Sequence, residues 1–348
     1  MYNKINKIWI VFSLVVVTAA SVYGYMLYRQ IFGPNTKFTQ KEVFVHVPTD
    51  ANFEQVVDTM SKYVEDIERF KMVAEKKSYI YNVKPGRFLI KNGMSSNSII
   101  NSLRQNVPVD LAFNNQERLE DFAGRISKQI EADSLSLLNS FKDPKFLEEN
   151  GFNEENVLSM FIPNSYEFFW NIKADKFRDR MAKEYRNFWN ESRLEKAKKL
   201  NLTPLQVSVL ASIVHKETVK KDERPKVAGV YLNRLSRGMK LEADPTVIYS
   251  VKLKENDFNK VIKRVLYKDL ETNSPYNTYR FEGLPPGPIA MPDITAIDAV
   301  LNPEKHNYIY FCASVTNFGY HEFAENTAQH EVNRQKYVAW VNQQGIKR

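Results

Sequence analysis

The sequence predicts an α+β protein with a single N-terminal transmembrane helix, a small mixed module and then a larger, mainly helical domain. Three observations support this fold class. Residues 8–28 contain no charged side chain, and residues 41–107 alternate between strand-like and helix-like patterns. From residue 108 onward most segments have helical spacing, without the regular β–α–β alternation of a doubly wound sheet.

The first element is an apolar run, IWIVFSLVVVTAASVYGYML, which matches the ~20 residues needed to cross a bilayer. Lys4 and Lys7 precede this run, so the positive-inside tendency places the N-terminus in the cytoplasm. A cleaved signal peptide is the alternative, because residues 18–21 (TAAS) resemble a small-residue cleavage site. In both cases the bulk of the protein is exported. The predicted boundaries are a cytoplasmic tail at 1–7, a transmembrane helix at 8–28 and a linker at 29–40.

A small α+β module is predicted at residues 41–107. The stretch EVFVHVP alternates as a strand does, and two stretches with helical spacing follow it. After the turn KPG comes a second strand, GRFLIK, and then a helix, SSNSIINSLRQN, whose serines suit an N-cap. The order is therefore strand, helix, helix, strand and a further helix.

Composition and motifs exclude several classes of function. The net charge is +8, but the sequence contains no run of basic residues and no DNA- or RNA-binding motif. We therefore predict no nucleic-acid partner. Cys312 is the single cysteine, which excludes an internal disulfide, and its apolar surroundings (YIYFCASV) predict a buried strand thiol. The histidines show no HExxH or other metal-binding spacing, so no metal site is predicted. They are His46, His215, His306, His321 and His330.

The segment TPLQVSVLASIVHKET predicts a helix with a carboxylate at the end of an apolar face. Thr203 suits the N-cap, and Gln206 completes a capping box. Residues that recur every four positions form one stripe: Leu205, Val209, Ile213 and Glu217. Burial would raise the pKa of Glu217 and make it a proton donor of the kind a glycosidic oxygen needs. The alternatives are a Glu that emerges into solvent at a frayed helix end and a Glu held in a structural ion pair.

The following segments supply further polar candidates. A second helix, DERPKVAGVYLNRLSRG, ends at Gly238 and carries Glu223, Arg224, Asn233 and Arg234. Asp244, before a proline, is a predicted helix N-cap. In the loop SPYNTYRFEGLPPGPIAMP, Tyr276 and Tyr279 are suited to stack on sugar faces, and Asn277 to bond an acetamido or hydroxyl group. Each has a simpler alternative, namely a solvated helix face, capping or loop packing.

Five stretches in this region follow one another in a recognisable order: ASIVHKET, ERPKVAGVYLNRL, GMKLEADPTVIY, SPYNTY and GLPPGPIAMP. Together they resemble the YceG-like (MltG-type) endolytic murein transglycosylase family. KPGRFLIKNGMSSNSIINSLRQN resembles the end of the family's LysM-like module, IPNSYEFFWN its Phe-Pro-Asp-Thr-Tyr segment, and HEFAENTAQH its C-terminal His-containing stretch. The resemblance implies a LysM-like module at 41–107 and a YceG-like transglycosylase domain at 108–348, with a catalytic core at about 200–330.

The resemblance also implies roles for individual residues. The family's catalytic acid/base is the Glu of a Lys-Glu-Thr triplet, which falls on Glu217, the residue that the helix stripe also singles out. We expect substrate contacts from Asp244, Tyr276, Asn277 and Tyr279. We expect the two helices to be held together by Glu223, Arg224, Asn233 and Arg234. Three positions depart from the family pattern: His215 replaces Glu, Asn164 replaces Asp and Glu242 replaces Gln. Residues two apart on a helix face opposite sides, so His215 is not expected on the catalytic face.

The activity implied by the resemblance is cleavage between N-acetylmuramic acid and N-acetylglucosamine in nascent, uncrosslinked strands. It leaves 1,6-anhydro ends and requires no metal or organic cofactor. The implied partners are peptidoglycan glycan strands, the membrane and cell-wall synthases, and the implied location is the cytoplasmic membrane, with the catalytic domain outside. Two alternatives stay open. One is a non-catalytic, membrane-tethered glycan-binding scaffold, and the other is a lysozyme-like hydrolase with Asp244 as its second carboxylate.

Overall fold

The computed structural model describes residues 2–344, with side chains from residue 7 onward. Met1, from the predicted cytoplasmic tail, and residues 345–348, from the predicted transglycosylase domain, lie outside the described residues. The described chain forms two compact units. The first comprises residues 2–111, 129–131 and 167–172, and the second comprises residues 112–128, 132–166 and 173–344. Helices and short two-stranded sheets make up both, which confirms the predicted helix-rich α+β class.

Helix α1 (Tyr2–Phe32) contains the predicted transmembrane segment. Its part Lys7–Phe32 has 26 residues, and the most apolar 18-residue window within it has a mean hydropathy of 2.0 and is not covered by the rest of the described chain. By length and composition α1 is able to cross a membrane. The helix continues beyond the predicted end at Tyr28, because the first proline is Pro34, which follows Gly33 directly after the helix.

The first unit is built around an antiparallel pair of strands. Its elements after α1 are β1 (Glu42–Val47), α2 (Phe53–Met60), α3 (Ile67–Lys76), β2 (Gly86–Lys91) and α4 (Ser96–Ser102). Strand β1 pairs with β2 along its full length. Alternate strand side chains point inward and are buried against the helices: Val45, Val47, Phe88 and Ile90. The predicted order of strands and helices is therefore observed, and Ser95 caps α4 as expected.

The segment after α1, predicted as a linker, is bound to the first unit. Carbonyl groups at a helix C-terminus lack partners within the helix. Here the Arg69 guanidinium on α3 donates to the carbonyl oxygens of Gly33 and Pro34, at 2.8 and 3.0 Å. Ile31 and Phe38 pack against the core of the unit. The segment is therefore part of the unit and not a free linker.

Asn35 fixes the same segment through a fully buried side chain. Its amide nitrogen donates to the Asp66 carbonyl and the Ser96 hydroxyl, each at 2.8 Å. Its Oδ1 accepts from the Asp66 N–H, also at 2.8 Å. The amide is thus well satisfied, which is the condition under which a polar side chain is buried at little cost.

The rest of the described chain adds short strands and many helices. They are β3 (Pro108–Ala112), α5 (Leu119–Ile126), α6 (Ser134–Phe141), α7 (Pro144–Asn150), β4 (Ser165–Phe169), α8 (Ala174–Phe188), α9 (Glu191–Lys199), α10 (Pro204–Glu217), α11 (Arg224–Ser236), α12 (Asp244–Glu255), α13 (Tyr267–Leu270), α14 (Ile294–Leu301), β5 (Tyr310–Ala313), β6 (His321–Ala324) and α15 (Thr327–Gln343). Strand β3 pairs with β4, and β5 pairs antiparallel with β6. Cys312 lies in β5, as predicted for a strand thiol, but it is only partly buried.

Helix α10 is the central helix of the second unit. Every residue from Val207 to Val214 is buried, because this stretch is apolar on all sides apart from two serines. It packs against α9, α11, α12 and α14. The Ser212 hydroxyl is satisfied inside the core, where it donates to the Val209 carbonyl at 2.6 Å and accepts from the Ile289 N–H at 3.1 Å. These neighbours fix the last turn of α10.

We expect Asn35→Ala to lower the free energy of unfolding of the first unit by about 1–3 kcal/mol, because the buried Ser96 hydroxyl and the Asp66 main chain lose their partner. Hydrogen exchange at the β1 and β2 amides of the full-length chain in detergent measures this change. The matched control is Asn82→Ala, since Asn82 is exposed and makes no side-chain hydrogen bond among the described contacts. Equal exchange in both variants would contradict the prediction.

Candidate active site

Glu217 is the last residue of α10, and the signals at the start of this helix act as predicted. Thr203 is the N-cap and accepts from the Gln206 N–H at 3.2 Å. The Gln206 side chain accepts in return from the Thr203 N–H at 2.8 Å, which completes the capping box. The stripe that contains Val209 and Ile213 is buried and carries Glu217 to the edge of the core.

The Glu217 carboxyl group is partly buried and lies against α11. Its Oε2 accepts a hydrogen bond from the hydroxyl of the buried Tyr231, at 3.1 Å. Burial raises the pKa of Glu217 to about 7. The negative charges of Asp244 and Glu223 also raise this pKa, whereas His321 and the Tyr231 hydrogen bond lower it. Glu217 therefore exchanges its proton near neutral pH.

Asp244 is not the N-cap that the sequence suggests. The N-cap of α12 is Ala243, and Asp244 is the first helical residue. The physical reason is that the Asp244 carboxylate has another partner, since Oδ1 accepts from the Tyr279 hydroxyl at 2.7 Å. Burial, and then the charge of Asp244, raise the pKa of Tyr279 well above its ordinary value, so this hydroxyl stays protonated. Asp244 and Tyr279, two of the four predicted sugar contacts, are thus hydrogen-bonded to each other. Both also interact electrostatically with Glu217.

The other two predicted sugar contacts, Tyr276 and Asn277, are buried. Tyr276 belongs to the hydrophobic core, and its ring centroid lies 4.8 Å from that of Tyr249. The Asn277 amide nitrogen donates to two main-chain carbonyl groups, at 2.9 and 2.8 Å, and its Oδ1 accepts from the Tyr279 N–H at 3.0 Å. Both residues therefore stabilise the loop that carries Tyr279, Tyr276 by packing in the core and Asn277 by hydrogen bonds to main-chain groups.

Arg224 joins the two helices, as expected. Its buried guanidinium donates to the Thr218 carbonyl at 3.3 Å and to both Asp293 oxygens at 2.7 and 2.8 Å. His215 Nδ1 lies 3.3 Å from Asp293 Oδ2, so it faces this cluster and not the Tyr231 side. Burial acts to raise the pKa of Asp293, but the bonds from His215 and Arg224 outweigh it and hold that pKa far below its usual range. Asp293 also caps α14.

Asn233 and Arg234 do not join α11 to α10, and their expected role is corrected in this respect. Glu223 makes a side-chain hydrogen bond with Thr218, the C-cap of α10, and also bonds a residue outside the two helices. Glu223 bonds His321, whose N–H and Nδ1 lie 2.6 and 2.9 Å from its two oxygens. Asn233 donates to the carbonyls of His306 and Tyr308, at 2.8 and 3.0 Å. The physical reason is that strand β6 and coil segments beside α11 present main-chain groups that need side-chain partners.

Arg234 holds two such segments at once. It donates to the Lys240 carbonyl at 2.7 Å and to the Ile309 carbonyl at 2.9 Å. Its third partner is the carboxylate of Glu242, a residue with a left-handed backbone (φ 50°). The Glu at this position therefore has a structural ion-pair partner. Asn164, the other departure near the site's sequence motifs, is exposed and bonds the N–H of its own neighbour at 2.8 Å.

Tyr231 and His321 are site residues that the sequence reasoning does not single out. Periodicity places Tyr231 on an apolar helix face and gives no sign of its hydroxyl contact, although a buried tyrosine hydroxyl usually has a partner. His321 lies in the HEFAENTAQH stretch, but its meeting with Glu223 depends on the position of β6, which periodicity does not give. Among the described residues, no group of three or more His, Cys, Asp or Glu is arranged to hold a metal ion.

The model of the YceG-like family matches residues 45–336. An endolytic murein transglycosylase of Bacillus subtilis (strain 168) is 27% identical over 356 residues, covering 94% of this chain and 92% of that protein. An endolytic murein transglycosylase of Streptococcus pneumoniae serotype 2 is 25% identical over 368 residues, covering 95% of this chain and 65% of that protein.

A solved structure has a similar fold. The crystal structure of a protein described as yceG-like, from Listeria monocytogenes, matches with a TM-score of 0.55 and 24% identity. The match covers 84% of this chain and 99% of that chain.

We expect Glu217→Gln to stabilise the protein well above pH 7 and to have little effect near pH 4.5. The folded-state pKa of about 7 lies above the ordinary value of 4.5, so only the folded state keeps the proton between these values. Stability therefore falls as pH rises through this interval, by on the order of 1–3 kcal/mol, and Gln removes that loss. Thermal unfolding of the full-length chain in detergent at both pH values measures the effect.

The matched control for this stability test is Glu195→Gln, at an exposed position on α9. It is expected to unfold like the wild type at both pH values. A Glu217→Gln difference that is the same at both pH values would mean that the substitution acts through packing and not through the proton.

Proposed function

The chain belongs to the YceG-like family, and on that premise we propose that it is a membrane-anchored lytic transglycosylase of peptidoglycan. Its relatives in Bacillus subtilis and Streptococcus pneumoniae carry the name endolytic murein transglycosylase. The bond it cuts joins N-acetylmuramic acid to N-acetylglucosamine within nascent strands. The observation that carries the proposal is the Glu217 carboxyl group, which burial keeps largely protonated up to near neutral pH.

In the first step Glu217 acts as the acid. Its proton passes to the glycosidic oxygen as the bond from that oxygen to C1 of the muramic acid breaks, and positive charge develops at C1. The Tyr231 hydroxyl donates to Oε2, so it stabilises the carboxylate that remains. A carboxyl group with a pKa near the operating pH is suited to this transfer.

In the second step the same carboxylate acts as the base. The C6 hydroxyl of the muramic acid attacks C1, its proton passes to Glu217, and a 1,6-anhydro ring closes. Ordinary glycosidases use two carboxylates because water or the enzyme supplies the nucleophile. When the substrate's own hydroxyl attacks, one group serves both steps, and Glu217 returns to its starting state.

Asp244 and Tyr279 are the groups that we propose for contacting the sugar beside Glu217. Asp244 is exposed, and its bond with the Tyr279 hydroxyl fixes the direction of both side chains. Tyr276 and Asn277 support them from within the loop, since Asn277 Oδ1 holds the Tyr279 main chain at 3.0 Å. In this role the two buried residues affect sugar binding through the position of Tyr279.

A two-carboxylate hydrolase is the second candidate, because Asp244 is an exposed acid whose charge acts on Glu217. In that case Asp244 would activate a water molecule, and the product would end in an ordinary reducing sugar. The terminal sugar of the product therefore distinguishes the two functions.

The proposed location is the cytoplasmic membrane. Helix α1 is the anchor, and the basic residues before its apolar run favour a cytoplasmic N-terminus. We further propose that residues 41–107 are a LysM-like glycan-binding module and that cell-wall synthases are partners. An anchor of this kind would keep the enzyme where nascent strands leave the membrane.

The test of the activity is to incubate the full-length chain in detergent with uncrosslinked glycan strands and identify the product ends by mass. We expect 1,6-anhydro ends from the wild type. Glu217→Gln is expected to reduce turnover by about 10²–10⁴-fold, whereas the exposed Glu195→Gln control keeps wild-type turnover. Ordinary reducing ends would support the hydrolase, and binding without cleavage would support a non-catalytic scaffold.

Asp244→Asn is expected to move the alkaline limb of kcat/KM to lower pH, by up to about one unit. The charge of Asp244 raises the pKa of Glu217, so its removal lowers that pKa, and the protonated acid is lost sooner as pH rises. Rates on glycan strands across pH measure the shift. The control is Glu255→Gln at the far end of α12, which should leave the limb in place. An unmoved limb in Asp244→Asn would remove this residue from the site.

A further inference from the structure

A cleft opens beside α11, and His321 is among the residues that line it. Its volume is about 510 Å³. Besides His321, its charged lining residues are Asp222, Glu223, Lys226, Glu304 and Glu322. The proposed reaction steps make no use of His321 or of the carboxylate that binds it.

Both oxygens of Glu223 hold His321. The His321 N–H donates to Oε1 at 2.6 Å, and Nδ1 lies 2.9 Å from Oε2. Burial would raise the pKa of Glu223, but the hydrogen bonds with His321 outweigh it and lower that pKa, so Glu223 is ionised. An ionised carboxylate only accepts hydrogen bonds, so Nδ1 carries a proton. Nε2 has no hydrogen-bond partner among the described residues.

Aromatic contacts connect this pair to the catalytic carboxyl group. The Phe311 ring meets the His321 ring edge-on, with centroids 4.9 Å apart. The same Phe311 ring lies 5.8 Å from the Tyr231 ring, also edge-on. Tyr231 donates to Glu217. A continuous series of contacts therefore runs from Glu223 to Glu217, and the rings in it keep the imidazole in a fixed orientation.

The charged groups around Glu217 determine how easily its carboxylate forms. Titratable groups from several elements act on Glu217: Tyr231 on α11, Asp244 at the start of α12, Tyr279 in the loop, Glu223 before α11 and His321 on β6. Within this set, His321 is the one residue able to carry a positive charge. The two acids and burial all disfavour an ionised Glu217.

We propose that Glu223 and His321 form a positioning pair for Glu217, in which the held imidazole stabilises the Glu217 carboxylate between the two reaction steps. The proton leaves Glu217 for the glycosidic oxygen and is replaced by the proton of the C6 hydroxyl. His321 therefore neither gains nor loses a proton during the cycle. This inference rests on the proposed function and adds two residues to it.

The first test is His321→Gln in the full-length chain, assayed on glycan strands in detergent across pH. Without the imidazole the pKa of Glu217 rises, so we expect the alkaline limb of kcat/KM to move up by about one pH unit. We also expect kcat to fall by about 10–10²-fold while KM changes little, because the carboxylate formed in the first step is less stable. A merely structural role would not move the limb.

The matched control is His330→Gln, a second histidine that stacks on Tyr310 at 4.9 Å and is not among the groups that act on Glu217. It should keep the wild-type pH profile. An unmoved limb in His321→Gln, or the same shift in both variants, would overturn the proposal.

The second test asks whether the two residues act as a pair. Glu223→Gln keeps an acceptor for the His321 N–H, so it preserves the main-chain contact while removing the charge. We expect it to lower kcat, and we expect the double variant to lose no more than His321→Gln alone, since coupled residues are not additive. Additive losses would contradict the pairing. Where His321→Gln fails to fold, full activity in Glu223→Gln contradicts the pairing by itself.

Failure of this inference is distinguishable from failure of the proposed function. Wild-type protein that leaves no anhydro ends would refute the transglycosylase itself. Anhydro ends from the wild type, together with an unchanged pH profile in His321→Gln, would refute the positioning pair and leave the function in place.

Discussion

The burial of α10 on every side is the constraint on which the candidate active site depends. A helix with no solvated face presents polar groups to its surroundings mainly at its ends, and here the end is Glu217. Because α9, α11, α12 and α14 surround the helix, its last turn has a fixed place in the core. The same burial that positions the carboxyl group also raises its pKa, so position and proton affinity have one physical origin.

Paired charges lie on the two sides of this helix end, whereas burial raises the pKa of Glu217 to about 7. On one side Arg224, Asp293 and His215 form a compact cluster, and on the other Glu223 holds His321. Buried charges need partners of this kind, and breaking such a pair is costly. Glu217 has a neutral phenol as its hydrogen-bond donor, so neither protonation state is strongly fixed. That balance suits a group that must give a proton and then take one.

Local signals in the sequence predict those structural features that depend only on residues close together along the chain. The capping box at Thr203, the apolar stripe that ends at Glu217 and the strand–helix–helix–strand order of the first unit are of this kind. Long-range contacts are not predictable in this way. Residue spacing does not show that Asn277 turns inward, that Asp244 bonds Tyr279, or that strand β6 brings His321 to Glu223. The family resemblance places these residues in shared motifs but does not provide their contacts.

The contact between the end of α1 and the first unit also has a mechanical meaning. Arg69 and the buried Asn35 fix the chain directly after the helix to the first unit. The helix is therefore not joined to the β1–β2 pair by a flexible linker. If α1 lies in a bilayer, the bilayer thickness influences the tilt of the helix, and the strands change their orientation together with it. The composition of the membrane would then help to set the direction in which this unit faces.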